Sequence, residues 1–411
     1  MSTRTLIRAA LATVALALPA LAQETPPPKA DGVAVDAVIP GGNAIVEKIE
    51  GDTVLLRQDL RDTAGDWFYW HVRVRGAAGR TLTFKFTKGN VLGVRGPAVS
   101  PDGGKTWSWL GAAACQGASF RYAFPAGADD VRLSFTIPYF ESHLKGFLVK
   151  HATSAALKAE TLCKTGKGRD VELLRVGRIG GEPDHRVLLT ARHHCCEAMA
   201  SYVMEGILDA AIGPGAEGAW LRDHVEILAV PFMDKDGVEG GDQGKNRKPH
   251  DHNRDYVQGL YPSVKALKER VTAWSQGRLR IALDLHCPWI RGTHNEVIYF
   301  VGGPDAGNWE RVTQFAKVLE SVQSGPIVYK VSDNLPYGVD WNKGPENTAL
   351  KSFARWAAEL PGIRAASTIE TPYANAGGEE VTPDSARAFG RDVARAMRAY
   401  LEPQMNTDEH R

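Results

Sequence analysis

The segment Arg186-Val187-Leu188-Leu189-Thr190-Ala191-Arg192-His193-His194-Cys195-Cys196-Glu197 runs from an apolar stretch into a cluster of metal-binding residue types. Its first half reads as a buried strand, and the residues from 197 to about 212 carry a helical pattern. A strand-to-helix junction brings His194 and Glu197, three apart, within reach of one point. Imidazole and carboxylate together suit Zn2+, and a catalytic zinc needs one more protein ligand and an open position. By itself H-x-x-E arises by chance in a chain of 411 residues, so its surroundings must decide.

Downstream of about residue 150, strand-like runs at 186–190, 225–230, 281–285, 296–301 and 367–369 alternate with helical stretches at 197–212, 263–276, 306–322 and 379–401. Such alternation predicts an α/β domain on a largely parallel or mixed sheet. Ligands in these sheets gather at the carboxyl ends of strands, where the polar motifs fall. His286 follows the 281–285 run and is the candidate third ligand, a satisfied core histidine being the other reading. Asn253 and Arg254 sit in a polar loop after the 225–230 run. Arg by its planar fork and Asn by its amide can clamp a carboxylate, unless the loop is simply solvated. Glu370 closes the 367–369 run, in place for a general base.

Upstream, short alternating runs at 67–74, 81–86 and 131–136, broken by Gly and Pro, predict an all-β sandwich-like domain over 33–150. The stretch from Ser100 to Trp107 matches the Asp-box turn of sialidase-type propellers, which need several copies; a single copy predicts a hairpin in which Asp102 bonds the backbone, Gly103 and Gly104 turn the chain and Trp107 packs.

Composition sets the outer limits. With 49 basic and 48 acidic residues the chain offers no general nucleic-acid surface and no polybasic membrane anchor. Residues 1–22 read as a secretory signal: Arg4 and Arg8, an apolar core, then Ala20-Leu21-Ala22. That core of about 12 residues is short of the roughly 20 needed to span a bilayer. No later run spans one, so the expectation is an exported protein of a bacterial periplasm, with residues 23–32 a flexible leader. Five cysteines leave at least one thiol unpaired in a monomer.

Taken in order, His194-x-x-Glu197, Asn253-Arg254, His286 and Glu370 resemble the zinc metallocarboxypeptidase family. Asp66-Trp67-Phe68-Tyr69 and Phe135-Thr136-Ile137-Pro138-Tyr139 look like the cytosolic carboxypeptidase subfamily, which couples an N-terminal β-sandwich to the peptidase domain. The resemblance implies a carboxypeptidase-like α/β domain over 151–405 and one Zn2+ per chain held by His194, Glu197 and His286. It implies that Arg254, with Asn253, holds the free C-terminal carboxylate of a peptide substrate. Glu370 would take a proton from the zinc water and return it to the leaving amine. Arg247 is the candidate for polarising the scissile carbonyl, and Tyr337 or Tyr373 for the family's mobile tyrosine.

The chain departs from that pattern at Cys195-Cys196, where relatives carry small residues. These thiols either pack, or pair with Cys287, or touch the metal. His193 is expected to be structural. Lys343, Lys351 and Arg355 fall where the pocket wall is expected and would favour an acidic terminal residue, or else form a solvated helix face. Two other functions compete: a zinc deacylase of the succinylglutamate desuccinylase type, and an inactive peptide- or carbohydrate-binding protein.

Overall fold

The computed structural model describes residues 29–30, 32–343 and 350–402. The expected signal at 1–22, most of the leader and the end of the 151–405 span lie outside the described residues.

The C-terminal part is built on a seven-stranded mixed sheet. Its order is Leu157–Lys164, Asp170–Gly177, Val225–Val230, His185–Ala191, Leu279–His286, Ala365–Glu370 and Tyr299–Val301. The four strands from Val225–Val230 to Ala365–Glu370 run parallel, and the outer pairings are antiparallel. Alternation along each strand feeds two cores. Val187 and Leu189, with Ile281, Leu283 and Leu285, join one apolar cluster, while Leu188 and Ala282 join the other. Successive side chains point to opposite faces, so an unbroken apolar run is what a strand covered on both sides requires.

From His185–Ala191 the chain moves first to its neighbour on one side, Val225–Val230, and then returns to Leu279–His286 on the other. A crevice opens at the carboxyl ends of strands at such a reversal. Register places His286 directly opposite Glu370 there.

Helices Ala198–Ile212 and Pro383–Leu401 cross closely because two glycines meet. A Cβ on Gly206 would come within 2.1 Å of the Arg387 carbonyl oxygen, and one on Gly390 within 2.1 Å of that of Val203. The helix expected at 379–401 starts later, at Pro383, since Thr382 caps it by accepting from the Ser385 amide and Glu379–Glu380 pair as a short strand with Asn375–Ala376. The strand expected at 296–301 shrinks to Tyr299–Val301. Glu296 is drawn out of the ladder, its carbonyl accepting from the Gly377 amide and its carboxylate from Asn375 Nδ2.

Before residue 135 the chain forms two further sheets, of six and five strands, whose inward side chains share one apolar cluster. Trp70, just before strand His71–Arg75 of the six-stranded sheet, packs on the five-stranded one, its ring 4.9 Å from Phe86 and 5.9 Å from Phe120. The strand expected from 67 begins only at His71, because Phe68, Tyr69 and Trp70 are all buried and the backbone of Tyr69 bonds the Gln243 side chain instead of a neighbouring strand. Ala98–Ser100 and Ser108–Trp109 form the expected hairpin. Asp102 accepts from the Lys105 and Thr106 amides, and Trp107 Nε1 donates to Gly104. Helix Glu141–Lys150, which periodicity did not reveal, leads into the large sheet. Among the described residues no helix is long and apolar enough to cross a membrane.

Candidate active site

The turn after His185–Ala191 is held by an unusual arginine. Arg192 is buried in the left-handed region at φ 62°, where a non-glycine residue needs external support. Its guanidinium supplies that support by donating to the carbonyls of Tyr139 and Cys195 and to Ser201 Oγ. The following residues are thereby turned over the strand ends.

Three donor sets converge there. His194 Nδ1 lies 2.9 Å from Glu197 Oε1, His286 Nδ1 lies 2.7 Å from Glu197 Oε2, and the two Nδ1 atoms are 3.0 Å apart. Two imidazole nitrogens and a carboxylate converge on one point at this spacing, and the donor chemistry fits a divalent metal. Burial raises the Glu197 carboxyl, but His194 and His286 outweigh it and hold it well below the usual range. Burial likewise lowers His286, yet Asp284 and Glu197 prevail and hold it well above the usual imidazole value.

An outer partner fixes one ring: His286 Nε2 lies 2.6 Å from Asp284 Oδ2, whereas His194 Nε2 lies 3.7 Å from Asp251 Oδ2, beyond hydrogen-bond reach. A carboxylate placed like that of Asp284 orients a ligating imidazole and strengthens it as a donor. A second possible metal group, His193, Asp284 and His286, lies beneath. Its atoms are already engaged: His193 Nδ1 is 2.7 Å from Asp284 and Nε2 is 2.8 Å from the Tyr256 hydroxyl, while Thr190 Oγ1 donates to Asp284. His193 is therefore a positioning residue, as expected.

The His194, Glu197 and His286 group opens on a cavity of about 450 Å3 lined by Lys245, Asn253, Arg254, Arg355 and Glu370, among others. Glu370 is buried and its Oε2 has no protein partner. Burial pushes its carboxyl up to about 7, Glu197 adding to the rise and His286 opposing it. A carboxyl near neutrality beside a reacting water is suited to proton transfer.

The candidate residues fall into two groups. His194, Glu197, His286, Glu370, Asn253 and Arg254 are brought together. Arg254 is turned into the cavity, one guanidinium nitrogen donating to the Asn253 carbonyl. Asn253 works on protein groups: its Oδ1 accepts from the Phe353 amide and its amide nitrogen lies 3.2 Å from His286 Nε2. Arg247 is not placed as expected. It lies outside the cavity lining, tied to Asp62 at 2.8 Å, Asp234 at 2.9 Å and Asp242 at 3.6 Å, because three carboxylates with one cation among them capture it. The cation facing the cavity from that loop is Lys245, two residues earlier.

Tyr337 borders the cavity, whereas Tyr373 is buried against Phe68 and Phe135. Lys343 and Arg355 line the wall, but Lys351 pairs with Glu359 at 2.7 Å. All five cysteines are free thiols. Cys195 donates to the Asp242 carbonyl, and Cys196 lies 3.8 Å from the Tyr373 hydroxyl, on the apolar side of the turn. Sequence reasoning did not single out Asp284, Asp251 or Lys245. The signal for Asp284 was its place two residues before His286, on the same strand face.

No family model matches the chain. Cytosolic carboxypeptidase 3 of Mus musculus is 28% identical over 179 residues, 41% of this chain and 18% of that protein. Cytosolic carboxypeptidase 2 of Homo sapiens is 30% identical over 142 residues, 32% of this chain and 16% of that protein. The chain thus covers less than a fifth of either relative's length. Among solved structures, a metallo-carboxypeptidase from Burkholderia cenocepacia superposes with a TM-score of 0.74 at 19% identity, covering 90% of this chain and 98% of that one. A metallo-carboxypeptidase from Pseudomonas aeruginosa, bound to (2-guanidinoethylmercapto)succinic acid, gives 0.73 at 19%, covering 89% and 98%. Part of the chain is thus similar in sequence to cytosolic carboxypeptidases, and most of it shares the fold of metallo-carboxypeptidases.

Proposed function

We propose that the protein is an exported zinc carboxypeptidase that removes C-terminal residues from peptides. The observation that carries this reading is the convergence of His194, Glu197 and His286 at the mouth of a cavity that also holds Arg254 and Glu370. The three converging residues would hold one Zn2+, which when bound acidifies water and polarises a carbonyl. Arg254 receives the substrate's terminal carboxylate, and Asn253 keeps the Phe353 segment in place beside it. Glu370 takes a proton from the attacking water and hands it to the departing amine as the peptide bond breaks. Its burial keeps the proton available for return.

Arg355 and Lys343 on the cavity wall favour an acidic terminal side chain. The two N-terminal sheets act as a β-sandwich that buttresses the cleft, and residues 1–22 direct export. The test is digestion of a peptide library with mass analysis of products, with and without a chelator. Stepwise, chelator-sensitive loss of C-terminal residues, fastest after Glu or Asp, is expected. Internal cleavage, or indifference to the chelator, contradicts the reading, and a preference for C-terminal Lys contradicts the acidic pocket. Faster hydrolysis of an N-acyl amino acid than of peptides would favour the deacylase instead.

A further inference from the structure

We propose that Lys245 is a catalytic residue whose ammonium group takes up the negative charge developing on the scissile carbonyl oxygen, the part expected of Arg247. The inference rests on the carboxypeptidase reading. Hydrolysis of an amide puts nearly a full charge on that oxygen, and a fixed cation in a cleft closed to water is the strongest means of stabilising it. Lys245 lines the cavity with Glu370, His194 and His286 and is a quarter exposed, its Nζ 4.0 Å from Glu197 Oε1. Arg247 has no such freedom. Moving its guanidinium toward the cavity would take the cation from the buried carboxylate of Asp234 and break the pair with half-buried Asp62.

The backbone explains why lysine, not arginine, reaches the site. Gly244 stands at φ +83° against the Cys195 amide, where a Cβ would come within 2.5 Å. Only glycine brings the loop this close to the strand-to-helix turn. Asp62 accepts from the amides of Gln243 and Gly244, Thr63 Oγ1 donates to the Lys245 carbonyl, and the Ala64 amide donates to Asn246. The Lys245 ammonium then lies over the Trp67 ring, 5.6 Å from its centroid. The irregular segment 58–70 of the N-terminal part thus aims a charged group into the cleft of the C-terminal part, which gives it a role in chemistry beyond support.

The experiment compares the zinc-loaded full chain with Lys245→Met and Lys245→Arg, on a peptide that the parent cleaves. It also measures binding of a phosphonate peptide analogue, whose tetrahedral anion resembles the charged carbonyl, and of the product peptide. Lys245→Met is expected to lower kcat about 10²–10³-fold with little change in KM, as loss of one charge-stabilising donor does elsewhere. It should weaken the phosphonate by a similar factor and leave the product peptide, the zinc content and the Tm unchanged, while Lys245→Arg recovers part of the loss. Unchanged kcat, or a raised KM alone, overturns the proposal, the latter assigning Lys245 to ground-state binding. Equal phosphonate affinity in parent and Lys245→Met also overturns it. A parent that cleaves no peptide defeats the carboxypeptidase reading, and the phosphonate comparison still decides the place of Lys245.

Discussion

His193 and His194 are adjacent in the chain and equally buried, yet they belong to clusters of opposite character. His193 is closed: Asp284 sits on one ring nitrogen and Tyr256 on the other. His194 is open, its Nδ1 facing Glu197 and His286 at the edge of a cavity. The left-handed turn at Arg192 produces the difference by sending successive side chains to different places. Burial and residue type alone do not mark a site. A metal site is marked by ligand atoms that converge on one point at the edge of a cavity, and a satisfied histidine beside it serves to hold the ligands still.

Three substitutions or conditions put pressure on that comparison. The largest effect is expected at the open cluster. Glu370→Gln should keep the metal and lose about 10²–10⁴-fold in kcat, the usual worth of a positioned base, read by steady-state kinetics with metal analysis alongside. A variant with near-parental turnover would remove Glu370 from the chemistry. The closed cluster should respond more mildly. Asp284→Asn leaves His286 and His193 without their shared carboxylate and should cost about 10–100-fold in metal affinity or activity, measured by competition with a chromogenic chelator. If metal affinity stays parental, the buried cluster is structural only. The smallest effect is graded. Without metal, Asp284 and Glu197 hold His286 protonated above its usual range, so binding must expel a proton. Apparent affinity should therefore rise about tenfold per unit as pH increases toward that raised value, then level off. A pH-independent affinity between pH 6 and 8 would mean that His286 is neutral before the metal arrives.

Much of this was legible in the sequence, and what was not has physical causes. The strands at 225–230 and 185–191 carry continuous apolar runs, Ile227 to Val230 and Val187 to Leu189, because both faces are covered there, and such runs stand out. His194, Glu197, His286 and Glu370 end strands or follow them directly, so the strand pattern alone brought them to one crevice. Arg247 was different. Its place is decided by Asp62, 185 positions earlier, and by Asp234 and Asp242, and no local pattern announces which of two cations in a loop the carboxylates will capture. The stretch from Trp67 to Trp70 misled for a related reason. Its partner is a glutamine side chain in the C-terminal part, so a run of aromatic residues that reads as strand packs as an irregular bridge.

The central claim is that the open trio, and not its closed neighbour, holds a catalytic metal. Elemental analysis of the purified full chain, beside His194→Ala and His193→Ala, tests it most directly. One zinc per chain is predicted in the parent, none in His194→Ala, and a weakened but saturable site in His193→Ala. Zinc retained in full by His194→Ala, or absent from a folded parent supplied with it, would contradict the account.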